Sequence, residues 1–461
     1  MNSPIFRLFA LFVLMFAVLI GFSSRWAVFG AQRLRENPDN KRVVLEEQRI
    51  KRGVIRAADG TVLAGSTALA GGRYTRRYPT GRLFALPVGF DNIQLGRTGL
   101  EKEYNDALVG RKEELGRLLD SIVEKDAVGD NLQTTLQPKG QQAAYDALEG
   151  HKGAVVALDV KTGAVRVLAG TPSFDPTDPG KRGSTIFNNA TQGLYPPGST
   201  FKTVTASAAI DSGRFQPDSR VSGKNGKVIS GTPLNNFGSQ DYGDITLTEA
   251  LTHSVNTVWA EVGVKLGRST MQEYMDRFGF GQKPPMDYPR NQMEISGPRR
   301  KGKILPMSSG RVDVGRTAIG QALLLVTPLQ MATVAQTIGN GGLRMEPRLV
   351  EKVIDPDGRT VDEPLPEVAE RVMSPESAAK VTTMMKSVVR EGSGTAAALQ
   401  GVELAGKTGT AEINIEQGIN DLWFIGFTSK VAVAVIIDHE QGQGGTVAAP
   451  IAKRVLQALG Q

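Results

Sequence analysis

The chain has 461 residues, 40% of them hydrophobic and 22% charged, which leaves room for two or three domains around a large core. The absence of cysteine excludes disulfides, thiolate catalysis and cysteine-rich metal sites. The net charge of +7 comes from dispersed basic residues, with no basic helix and no aromatic-rich nucleic-acid signature, so it points to an anionic cell surface or lipid-linked precursor and not to nucleic acid.

Residues 8–22 are apolar or glycine throughout and lie between Arg7 and Arg25, which reaches the lower limit for a tilted membrane span. Residues 27–31 make a poor small-residue cleavage site, so residues 1–30 are expected to be an uncleaved anchor and not a signal peptide. Arginines on both flanks leave its orientation undecided. Residues 31–135 are rich in charge, strand-like at 53–55 and 61–63 and helical in pattern over 100–119, and are expected to form a small pedestal domain. Residues 129–137 read as the link into a larger domain, 136–461. That domain opens with a helix over 139–148 and a hairpin, 154–159 with 164–169, turning at Lys161-Thr162-Gly163.

After Tyr195-Pro196-Pro197-Gly198 comes Ser199-Thr200-Phe201-Lys202, with serine and lysine three apart on one helical face. A free hydroxyl is hardly nucleophilic at neutral pH, but a lysine partly removed from water among other cations can be neutral enough to act as its base. Apolar and alanine positions (Val204, Ala206, Ala208, Ala209, Ile210) predict a buried helix to residue 210, stopped by Asp211-Ser212-Gly213. Pro197-Gly198 enforces a sharp entry and puts Ser199 in the first turn, where free N–H groups and the helix dipole favour an oxyanion.

The Gly/Pro-rich stretches 212–241 and 282–312 read as long surface loops. Between them, Thr246 and Glu249 form a capping-box pattern for a short helix ending near His253, and a second helical pattern covers 256–266. Ser254 and Asn256 fall in the bend, free to project into a cleft. Taken alone, Ser254-Val255-Asn256 reads more readily as a simple helix cap, and only the company of the other two motifs reverses that.

Residues 402–411 carry Lys407-Thr408-Gly409-Thr410 and precede two runs dense in β-branched or aromatic residues, 422–427 and 431–437, which predicts consecutive antiparallel strands. Gly406 and Gly409 would let a ligand backbone come close, Lys407 offers a positive charge, and Thr408 and Thr410 offer hydroxyls to a carboxylate. At a sheet edge this strand could take a peptide by β-augmentation. A C-terminal helix near 450–459 completes an antiparallel sheet flanked by helices, an α+β arrangement. With only His151, His253 and His439, a serine-histidine-acid triad is not expected, because His253 abuts Ser254 in sequence and points elsewhere.

Serine-x-x-lysine, serine-x-asparagine and lysine-threonine-glycine, in that order, are the motif set of penicillin-binding proteins and active-site serine β-lactamases. Further similarity lies in Arg52-Gly53-Val54-Ile55, Asp59-Gly60-Thr61-Val62-Leu63-Ala64, Arg77-Tyr78-Pro79, Gly99-Leu100-Glu101 with Tyr104, the 153–159 run, Gly320-Gln321 with Thr327-Pro328-Leu329-Gln330-Met331-Ala332, and the 406–412 run. Over nearly its whole length the chain resembles the class B penicillin-binding proteins, membrane-anchored D,D-transpeptidases of peptidoglycan synthesis, and most of all the short actinobacterial penicillin-binding protein A type.

The resemblance implies an α+β, penicillin-binding/serine β-lactamase-like transpeptidase domain preceded by an anchor and a pedestal or dimerisation-like domain. It implies that Lys202 takes the proton of Ser199, that Ser199 attacks the carbonyl between two terminal D-alanines, and that Ser254, supported by Lys407, passes the proton to the leaving amine. Asn256 would hold the acyl-side amide. Lys407, Thr408 and Thr410, with Gly409 in the same motif, would bind the terminal carboxylate, and the backbone N–H groups of Ser199 and Thr410 would form the oxyanion hole. The partners implied are stem peptides ending in D-Ala-D-Ala, β-lactam antibiotics and a polytopic membrane glycan polymerase, with no cofactor or metal and with the catalytic domain outside the cytoplasm. Two alternatives stand beside it. One is a D,D-carboxypeptidase or β-lactamase-type hydrolase, for which Glu294 is the candidate water-activating carboxylate although Pro298 stands where an asparagine is expected. The other is a non-catalytic penicillin-binding sensor or scaffold.

Overall fold

Five antiparallel strands form the central sheet, in the order Ala405–Asn414, Ile419–Phe427, Val431–Gln441, Gly153–Asp159, Val165–Thr171. The three late strands therefore pair beside the early hairpin, and Ala405–Asn414, which carries the Lys-Thr-Gly motif, is an edge strand. The computed structural model describes residues 3–26, 47–110, 128–182, 184–414 and 416–461. The cleavage-site reading at 27–31 and the later part of the helical pattern over 100–119 lie outside them; of that pattern, Gly99–Glu103 and Asn105–Leu108 are short helices.

The strands carry continuous apolar runs because both faces of the sheet are covered. Along Val431–Gln441, Val431, Val433, Val435 and Ile437 pack with the helices Pro138–Ala147 and Ala448–Ala458. Ala432, Ala434 and Ile436 face the opposite core, which holds Lys202–Asp211, Pro328–Gly339 and the first half of Asn256–Arg277. Thr246 caps Leu247–Thr252 through the full reciprocal box with Glu249.

Three stretches differ from expectation. The second helix runs on to Arg277, past Gly267, whose φ of +76° breaks its regularity and hides the continuation from a periodicity reading. The 212–241 stretch contains short paired strands, Lys227–Ile229 with Thr232–Leu234, and Arg220–Ser222 pairs with Asp244–Thr246. In 282–312, Gly297–Arg300 pairs with Lys303–Ile304 and with Leu324–Leu325.

A second sheet runs Thr360–Asp362, Val350–Ile354, Asn131–Thr134, Ile55–Arg56, Val62–Leu69, Arg73–Arg77. Two of its six strands come from late in the chain. Arg52 and Arg76 reach the buried Glu101 at 2.7 and 2.6 Å, and Arg52 also donates to the Glu101 carbonyl and to Asn105. Tyr104 donates to Asp287 at 3.1 Å, and the same carboxylate accepts from the backbone of Leu349 and Val350, tying this sheet to the larger domain. At the N-terminus, Ser3–Arg25 is a single exposed helix of 23 residues containing an 18-residue stretch of mean hydropathy 2.6, a length of about 35 Å at 1.5 Å per residue and sufficient to cross a bilayer.

Candidate active site

Ser199 sits in a 3-10 turn, Gly198–Phe201, and the α-helix proper begins at Lys202. Gly198 has φ +50°, and a Cβ there would lie 3.2 Å from the Thr410 carbonyl. The left-handed residue after Pro197 thus turns the nucleophile's segment flat against the motif strand. The fit is tight from the other side too. A Cβ on Gly409 would meet the Pro197 oxygen at 2.8 Å and Thr200 Cγ2 at 3.0 Å, and one on Gly406 would meet the Phe424 ring at 2.5 Å. Both glycines therefore serve the protein's own close packing. The Trp423 indole N–H donates to Pro196 at 3.0 Å and pins the same turn from beneath.

Ser254 occupies the bend between Leu247–Thr252 and Asn256–Arg277 with φ +57°, a conformation costly for a non-glycine residue and characteristic of functional positions. The bend carries its hydroxyl between two lysines. Lys202 Nζ donates to the Ser254 carbonyl at 2.7 Å, to Ser254 Oγ at 3.2 Å and to Asn256 Oδ1 at 2.6 Å. Lys407 Nζ donates to Ser254 Oγ at 2.9 Å and to the Thr408 carbonyl at 2.9 Å. Both lysines have no solvent exposure. Burial pushes Lys407 down to about 7, while burial and then the adjacent Lys407 cation hold Lys202 well below the ordinary lysine range. Ser199, by contrast, is partly open to solvent.

Thus Ser199, Lys202, Ser254, Asn256, Lys407, Thr408, Gly409 and Thr410 converge from three separated segments onto one half-open site. Ser199 Oγ is not among the three partners of Lys202; the lysine is held by Ser254 and Asn256 instead.

Supporting residues join that carry no motif. Ser393 Oγ and Thr408 Oγ1 share a hydrogen bond of 2.6 Å. Gly444 N–H donates to Thr410 Oγ1 at 3.2 Å. Asn256 Nδ2 donates to the Asn235 carbonyl, and Asn236 Oδ1 accepts from the N–H of Thr257, so the 235–236 segment sets the Asn256 side chain from behind. Only the Gly-Ser-Gly at 392–394 and the Gly-rich 442–445 run hinted at such close approaches. Glu294 is bound by Arg299 at 3.1 Å and bonds none of these residues. His253 stacks on Tyr242, with ring centroids 5.7 Å apart.

The chain is similar to known proteins over almost its whole length. The family described as "Penicillin binding protein transpeptidase domain" matches residues 153–457, and "Penicillin binding protein A dimerisation domain" matches 52–132. The chain is 34% identical to the peptidoglycan D,D-transpeptidase PbpA of Mycolicibacterium smegmatis, over 99% of both chains. Among solved structures it is similar to penicillin-binding protein A from M. tuberculosis in its ceftriaxone acyl-enzyme complex, with TM-score 0.81, 32% identity and coverage of 90% of this chain and 100% of that one. It is also similar to the D,D-transpeptidase domain of a peptidoglycan glycosyltransferase from Eggerthella lenta, with TM-score 0.77, 32% identity and coverage of 89% and 98%. With both family matches in their expected order and full-length identity to a PbpA, the chain belongs to the class B penicillin-binding proteins, in the penicillin-binding protein A group.

Proposed function

We propose that this protein is a peptidoglycan D,D-transpeptidase and that Ser199 is its nucleophile. The observation that carries the reading is the pair of fully buried lysines meeting on one serine hydroxyl beside a partly exposed serine. In its neutral form Lys202 accepts the Ser199 proton as Oγ attacks the carbonyl between the two terminal D-alanines of a stem peptide. Ser254, between the lysines, hands a proton to the departing D-alanine amine, and an acyl-enzyme remains. The N–H groups of Ser199 and Thr410 face the tetrahedral oxyanion, where loss of one donor typically costs about 3–4 kcal/mol. Asn256 holds the acyl-side amide, and Lys407, Thr408 and Thr410 take the substrate carboxylate alongside Gly409. The amine of a neighbouring stem then displaces Ser199 and completes the cross-link.

β-Lactams acylate the same serine in this reading. Glu294 pairs with Arg299 and bonds none of the described residues of the site, which supports transpeptidation over a hydrolase of class A type. The helix Ser3–Arg25 anchors the enzyme, with the remainder outside the cytoplasm, and a polytopic glycan polymerase supplies the strands to be joined. The test is labelling with a fluorescent penicillin, followed by peptide mapping, and cross-linking assayed with a partner polymerase. Native protein carries label on a single peptide containing Ser199, and Ser199→Ala abolishes both labelling and cross-linking. Full cross-linking by that variant would overturn the assignment.

A further inference from the structure

Beyond the motif residues, the distal part of the central sheet gathers a second set of donor groups. Asn420 pairs with Glu440 but Leu422 pairs with Ile437, so Asp421 faces two residues, Asp438 and His439, across a bulge. His439 has φ +56°, which turns its ring back so that consecutive side chains reach one point. Its Nδ1 lies 3.4 Å from Asp421 Oδ1 and is hydrogen-bonded to Asp438 Oδ1. The imidazole nitrogen and one oxygen from each carboxylate all fall within 4.8 Å of one another.

Asp421 is 1% exposed, and the donor to its carboxylate is the His439 backbone N–H at 3.1 Å. Nearby, the Tyr195 ring is buried and packs edge-on against Trp423, two residues along the same strand face from Asp421.

We propose that Asp421, Asp438 and His439 bind one zinc-type divalent cation beside the catalytic strand. A mixed imidazole and carboxylate set suits zinc better than magnesium or calcium, which favour all-oxygen cages. Ligand bonds of about 2.1 Å at tetrahedral angles place donor atoms about 3.4 Å apart, the separation found between His439 Nδ1 and Asp421 Oδ1. Entry of the ion replaces the Asp438–His439 hydrogen bond. Asp421 pairs with Ala411, the residue after Thr410, so the bound ion braces the distal end of the motif strand.

The experiment is calorimetric titration of zinc sulfate into the chelator-washed full-length protein in detergent, with melting temperature read in parallel. Native protein is expected to bind one equivalent with a rise in melting temperature, and to ignore magnesium at the same concentration. His439→Ala and Asp438→Asn, each still acylated by fluorescent penicillin and therefore folded, lose about tenfold or more in affinity. His151→Ala, which removes the neighbouring imidazole bonded to Glu440, binds as native protein does. The proposal is overturned by native protein that binds no zinc, by either cluster variant binding it unchanged, or by His151→Ala losing it.

Discussion

Lys202 and Lys407 present their ammonium groups to the same Ser254 hydroxyl, at 3.2 and 2.9 Å, with neither exposed to solvent. Two buried cations in one site each make the other easier to deprotonate, and here the Lys407 charge adds to burial in keeping Lys202 low. The sign of the consequence is definite. Lys407→Met removes the like charge, so Lys202 retains its proton to higher pH and the acid limb of penicillin acylation moves toward alkaline pH, while the plateau rate falls by about a hundredfold as proton relay is impaired. Stopped-flow acylation across pH measures both, and an acid limb that stayed in place would contradict the coupling. Ser393 tests a separate part of the site. Its bond to Thr408 orients the hydroxyl proposed to take the substrate carboxylate, so Ser393→Ala is expected to raise KM several-fold with kcat nearly unchanged and Ser393→Thr to restore it, read from steady-state kinetics on a D-Ala-D-Ala peptide. The three motifs were legible because their residue types and order carry the chemistry. Ser393, Asn235 and Gly444 were not, since each acts through a contact that exists only after distant segments have packed.

At the level of elements, the site depends on how closely the 3-10 turn at Ser199 lies against the edge strand. Gly409→Ala puts a methyl 2.8 Å from the Pro197 oxygen and 3.1 Å from Trp423 Cβ, both on rigid parts of the fold. The strand must then back away from the turn, at a cost of about 1–3 kcal/mol in stability and with a loss of acylation larger than that stability loss explains. Thermal melting and penicillin labelling of the same preparation separate the two effects, and normal labelling would show that the turn tolerates the displacement. The strands around this contact were readable from density of β-branched and aromatic residues, and the Thr246 helix from its capping box. The 3-10 geometry at Ser199 was not, because Pro197-Gly198 specifies a sharp entry without specifying the hydrogen-bond spacing that follows. Helices such as Pro328–Gly339 were missed for the opposite reason, being buried nearly all round and so lacking a one-sided stripe.

For the molecule as a whole, the two domains share backbone as well as surface. Val350–Ile354 pairs with Asn131–Thr134 in the pedestal sheet, and Asp287 of the larger domain bonds Tyr104, Leu349 and Val350 at the junction. A chain cut to begin at residue 136 leaves Val350–Ile354 as an exposed edge and Asp287 short of one donor. It is expected to melt lower and to aggregate more readily than a chain beginning at residue 47, as light scattering during thermal unfolding would show. A truncated chain that melted at the same temperature would mean that the shared strand contributes little. No local pattern announces this pairing, because strands of four and five residues carry almost no periodicity and their partners lie far apart in sequence.

The same shared strand bears on the order in which the protein can be made. While the chain is emerging, everything up to Thr134 has been synthesised with one rim of its sheet still vacant, and that vacancy lasts until the ribosome has passed Ile354. The pedestal is thus the first part to appear and among the last to close, and a nascent chain stalled in between presents a sticky ribbon to chaperones, proteases and its own neighbours.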